Sequence, residues 1–165
     1  MIELNKKTQQ DFLNREWVQR LLDAGVDMSD AKYRIITVSK TGMDYILLST
    51  RLHEREDWLD KITDNIPTYT VSELLYKLHE WIYPTIDGKQ FSGGLKFCKD
   101  APFYMFYYAL KTKDYDPQLQ QGEYNENYIY AEFEYPIESL ASLLIQCHKK
   151  DIGIARKDTG NISDK

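Results

Sequence analysis

Enzymatic chemistry requires nucleophiles, bases or metal ligands at set spacings, and this chain offers few candidates. His53-Glu54 and His79-Glu80 each match a fragment of a zinc-protease helix motif. Neither has a second His four residues after the first, so two imidazoles cannot meet on one helix face. Asp114-Tyr115-Asp116 begins like a calcium loop, which needs Gly at its sixth position and Glu at its twelfth. Those positions hold Leu119 and Asn125. Gly88-Lys89 lacks the flanking residues of a phosphate loop, and Gly93-Gly94 is not the three-glycine turn of a dinucleotide site. Cys147 and His148 are neighbours in sequence. On a helix they point about 100° apart, so they are not a ready nucleophile and base. The sequence therefore predicts no catalytic residue, no metal ligand and no cofactor site.

Charge is the more informative pattern. The chain of 165 residues has a formal net charge of −5. From Asp114 to His148 there is no Lys or Arg, while Asp114, Asp116, Glu123, Glu126, Glu132, Glu134 and Glu138 give −7, so the rest sums to +2. Tyr115, Tyr124, Tyr128, Tyr130 and Tyr135 interleave with these acids. A local block of this sign disfavours nucleic acid and anionic membrane as partners.

The elements that must position these residues follow from periodicity. Phe12, Leu13, Trp17, Leu21 and Leu22 predict a helix over Thr8–Ala24, stopped at Gly25. Tyr33–Ser39 and Met43–Ser49 flank Lys40-Thr41-Gly42 and predict a hairpin. Leu52, Leu59 and Ile62 suggest a short helix over 51–62. Thr70-Val71-Ser72-Glu73 is a capping box, in which hydroxyl and carboxylate each satisfy the other residue's backbone N–H. It opens a predicted helix with Val71, Leu74, Leu75, Leu78 and Ile82 on one stripe, ended by Pro84.

The segment 86–94 reads as a turn-rich connection. Leu95–Lys99 and Phe103–Leu110 read as a strand pair, and Tyr128–Glu134 as a further strand. Pro136 opens a last helix carrying Ile137, Leu140, Ala141 and Leu144, with Lys149 and Lys150 favourable at its carbonyl end. The predicted fold class is α+β: one domain over 1–154, a mostly antiparallel sheet of about five strands with amphipathic helices on one face, and a polar tail over 155–165.

Alternation along a strand sorts side chains onto two faces. Tyr128, Tyr130, Glu132 and Glu134 share one face and Ile129, Ala131, Phe133 and Tyr135 the other, so the first set is expected outward. "APFYMFYYAL", Ala101–Leu110, has no charge on either face. It is expected to be a central strand covered on both sides, with Tyr104 and Tyr108 on one face against the chain itself or a second copy.

These features predict a non-enzymatic cytoplasmic binding or regulatory protein. Tyr128, Tyr130, Glu132, Glu134, Tyr104 and Tyr108 form the candidate interaction surface, and the partner is a basic protein or a second copy in a homodimer. One alternative is a small-ligand site or active site under the 111–127 loop, since loops of that length are uncommon without a function. Another is an acidic mimic of nucleic acid that occupies a basic partner. No apolar leader or membrane span is expected. Cys98 and Cys147 are expected to be buried free thiols rather than a disulfide framework.

Overall fold

A computed structural model describes residues 2–3, 5, 8–51, 61–112 and 127–150. The expectations for residues 52–60, the 113–126 loop with its acids and tyrosines, and the 155–165 tail lie outside these residues. The fold is α+β and its sheets are antiparallel, as the sequence predicts. Among the described residues the strands divide between a sheet of four and a sheet of five, and the chain divides into two compact units, Met1–Leu74 and Leu75–Lys165.

In the first unit, β1 (Ile2–Glu3), β2 (Tyr33–Val38), β3 (Met43–Leu48) and β4 (Ile62–Thr68) lie in the order β1-β3-β2-β4. The predicted hairpin is β2 and β3, with Val38 opposite Met43 and Gly42 at φ +64 in the turn. Ile35 and Ile36 point to opposite faces of β2 and are both buried, so this strand is covered on both sides. β4 was not legible beforehand, because Asp64, Asn65 and Pro67 are poor strand formers. It forms as an edge partner of β2, and Pro is tolerated at a sheet edge.

The first helix is shorter than predicted. Thr8–Gln10 is a single 3-10 turn, and α1 runs from Arg15 to Asp23. Between them the chain is extended: Phe12 bridges Thr70, and the Leu13 N–H donates to the Tyr69 carbonyl at 3.1 Å. Asn14 then starts the helix by accepting from the Trp17 N–H at 3.1 Å. Trp17, Val18 and Leu21 are buried, and Gly25 at φ +83 ends the helix as predicted.

The capping box is present. Thr70 N–H donates to Glu73 Oε2 at 2.9 Å, and Glu73 N–H donates to Thr70 Oγ1 at 3.3 Å. The helix it opens, α2 (Val71–Lys77), ends well before Pro84, where the sequence predicted its end. Trp81 and Ile82 become β5 instead, opposite Gly94 and Gly93.

Those two glycines lie inside β7 (Lys89–Asp100), where the sequence suggested a connection. The second unit orders β5, β7, β8 (Phe103–Thr112) and β9 (Asn127–Phe133) side by side, with β6 (Thr85–Ile86) also on β7. α3 (Pro136–Lys149) packs on β8 and β9. Its buried stripe includes Ile137, Leu140, Ala141, Leu144 and Cys147, and Pro136 takes the first-turn position as expected. Ser139 Oγ donates to the Tyr104 carbonyl at 2.6 Å and so ties the start of α3 to β8.

Candidate interaction surface

Antiparallel register fixes which side chains share a face of the second sheet. Tyr104, Phe106 and Tyr108 stand opposite Phe133, Ala131 and Ile129. Ile129, Ala131 and Tyr108 are buried, so this is the side under α3. Met105 and Tyr107 stand opposite Glu132 and Tyr130 and belong to the other side, the outer face. There Tyr130 is 54% exposed and Glu132 is exposed.

The six predicted surface residues are therefore not brought together. Tyr130 and Glu132 lie on the outer face as expected, and Glu134 is exposed just beyond β9. Tyr128 occupies the register position beside Ala109, and its side chain lies outside the described atoms. Tyr104 and Tyr108 belong to the opposite face. Tyr104 is half-buried, its ring stacked on Phe97 at 6.2 Å. Tyr108 is fully buried and its hydroxyl donates to the His79 carbonyl within the same unit. Burial pushes the Tyr108 phenol pKa up, with a further contribution from Cys147. The cover expected over this strand is thus the chain's own helix on one side. On the other side Met105, Tyr107 and Ala109 are half-buried.

β7 was expected as a strand only over Leu95–Lys99, and the register that sets its faces beside β8 and β9 supplies the rest of the outer face. Lys96 lies in one row with Tyr107 and Tyr130, and Cys98 in the next row with Met105 and Glu132. At the far side Trp81 lies against Gly94, where an added Cβ would come 3.3 Å from the indole. Alternation along 89–100 was the signal available in the sequence. The outer face carries both signs of charge among the described residues, Lys96 and Lys111 as well as Glu132, because the lysines come from strands outside the acidic block. Cys98 is exposed, contrary to expectation, while Cys147 is buried and its thiol is pushed up to about 12, chiefly by desolvation.

Two other places gather polar side chains. A cleft of about 280 Å³ is lined by Tyr83, Gln90, Phe91 and Ser92, which supply no acid–base pair. Arg15 joins Asp44, Asp64 and Thr37 on the first sheet, but four of its five N–H donors go to those partners, so the cluster reads as a clasp. Among the described residues no group of three or more His, Cys, Asp or Glu could hold a metal ion, and no helix is long and apolar enough to cross a membrane.

The chain matches no protein-family model, no curated protein and no solved structure.

Proposed function

We propose that this protein is a non-enzymatic binding or regulatory module of the cytoplasm that docks a protein partner on the outer face of its second sheet. The observation that carries this reading is Tyr130, 54% exposed, in one row with Tyr107 and Lys96 and beside Glu132. Tyrosine on a strand is a rigid contact surface that loses little entropy on binding, and it is enriched at interfaces. α3 holds the opposite face, so this row is presented on a supported sheet rather than on a loop. Glu132 and Glu134 favour basic groups of the partner near β9. The net charge of −5 disfavours nucleic acid as that partner.

The test is affinity capture from the native cell extract with chemical crosslinking, comparing wild type with Tyr130→Lys and Glu132→Lys. Both positions are exposed, so folding stability should stay within about 0.5 kcal/mol of wild type. The expected result is a polypeptide that wild type crosslinks and both variants lose. A partner retained equally by both variants would place docking elsewhere and overturn this reading.

A further inference from the structure

The same sheet has an open edge. β5 pairs β7 only at Gly93 and Gly94, and the Leu95 N–H still donates to the Glu80 carbonyl at 2.8 Å. Beyond that point, among the described residues, Lys96–Asp100 is paired on the β8 side alone. Lys96, Phe97, Cys98 and Lys99 are all exposed. An unpaired stretch of strand is a template for another extended chain, and its side chains decide which chain fits.

Phe97 is 54% exposed, stacked on Tyr104 and tilted against Phe106 at 4.9 Å. These rings make an apolar ledge that runs out to the edge on the helix side. Lys99 lies on that same side, its Nζ 5.4 Å from the Tyr104 ring centre, and Lys96 lies on the outer side. Any strand laid along this edge therefore meets an ammonium group on each face.

A second copy of β7 fits poorly. Even the register that sets Lys96 opposite Asp100 leaves both Lys99 side chains without an acid opposite them. Edge lysines of this kind discourage self-pairing. The same lysines select carboxylates.

We propose that the Lys96–Asp100 edge of β7 binds an extended acidic segment of a partner protein as an added antiparallel strand, continuing the ladder that β5 begins. Register then dictates the recognised pattern. An acid stands opposite Lys99, any residue opposite Cys98, an apolar residue opposite Phe97 and an acid opposite Lys96. Read from its N-terminus, the segment is acid–any–apolar–acid. This rests on the reading of the protein as a docking module and adds a second contact and the chemistry of the partner.

The experiment uses the full chain and a fluorescein-labelled, end-capped peptide, Thr-Thr-Glu-Thr-Val-Glu-Thr-Thr, with a control in which both Glu are Lys. Anisotropy should show saturable binding of the Glu peptide, weakened by added salt, and at least about tenfold weaker binding of the Lys control. The double variant Lys96→Glu, Lys99→Glu should invert that preference. Hydrogen exchange on the wild type should show peptide-dependent protection at Lys96–Asp100, a readout that does not depend on any variant folding. No binding, equal binding of the two peptides, or protection confined to β9 would overturn the proposal. So would a concentration-dependent dimer in light scattering that the double variant dissociates, because a second copy would then own the edge. If the peptide fails while partner capture still depends on Tyr130, this inference falls and the proposed function stands.

Discussion

Arg15 and Asp44 meet side-on: Nε is 2.8 Å from Oδ2 and Nη2 is 3.0 Å from Oδ1. The same guanidinium also reaches Asp64 and Thr37, so the first residue of α1 pins strands β2, β3 and β4 together. A planar five-donor fork suits this task, and a lysine would hold only one of these partners well.

Arg15→Lys should therefore destabilise the protein by about 1 kcal/mol and Asp44→Asn by about 1–2 kcal/mol, in keeping with charged hydrogen bonds at a partly exposed site. Burial pushes the Asp44 pKa up, but the hydrogen bonds from Arg15 and Thr37 and the charge of Arg15 outweigh it, leaving the carboxyl below its ordinary 3.8. A depressed folded pKa stabilises the protein above the unfolded value and loses that contribution as pH falls. The gap between wild type and Asp44→Asn should be constant from pH 7 to about 4 and shrink below it. Denaturant midpoints across that range measure it, and a gap that widens toward acid would contradict the pairing.

Tyr108 tests what covers the aromatic strand. Tyr108→Phe removes only the hydrogen bond to the His79 carbonyl and should cost about 1 kcal/mol. Tyr108→Lys places a charge at a fully buried site and should cost about 3–5 kcal/mol, unfolding the second unit rather than releasing a monomer from a dimer. The phenol's raised pKa adds stability that is complete below about pH 10 and lost as pH rises above it. Tyr108→Phe should accordingly unfold less steeply with pH in alkaline titration followed by circular dichroism. A folded, soluble Tyr108→Lys protein would show that this face is open.

The glycines of β7 make different demands. A Cβ on Gly93 would lie 2.8 Å from the Ala109 carbonyl oxygen and 2.9 Å from Leu110 Cδ2, and the backbone atom has little room to yield. Gly93→Ala should cost about 1–3 kcal/mol. At Gly94 the neighbour is the exposed Trp81 ring, 3.3 Å away and able to swing outward, so Gly94→Ala should cost less. Thermal melts of the two variants measure the order, and equal losses would mean that the Trp81 ring cannot swing away from Gly94.

Part of the candidate surface was legible from local pattern. Tyr130 and Glu132 were placed outward by alternation, and their exposure agrees because Ile129 and Ala131, one position away, are the residues α3 buries. Lys96, Cys98 and Tyr107 lie on strands that were expected, but their place beside Tyr130 and Glu132 depended on the registers of β7 with β8 and β8 with β9. Gly93 and Gly94 break a strand pattern locally, and nothing nearby in sequence shows that Trp81 and Leu110 fill the space above them. Tyr104 and Tyr108 were assigned to a face correctly as a pair, but which cover that face met depended on pairing with β9.

What the sequence determined by itself is whatever short-range physics controls: the Thr70–Glu73 cap, the Val38–Met43 hairpin, the stop at Gly25, and the start and buried stripe of α3. Each depends on residues within about one turn or one hairpin of each other, where backbone donors and side-chain periodicity leave few alternatives. The tertiary structure alone decided the rest. Ile62–Thr68 becomes a strand despite Asp64, Asn65 and Pro67, because the open edge of β2 supplies its hydrogen bonds. Trp81 and Ile82 leave the predicted helix for a strand, because the glycines of β7 admit them. In both cases the partner is distant along the chain, and the free energy of pairing and burial exceeds a local preference that spans only about 1 kcal/mol.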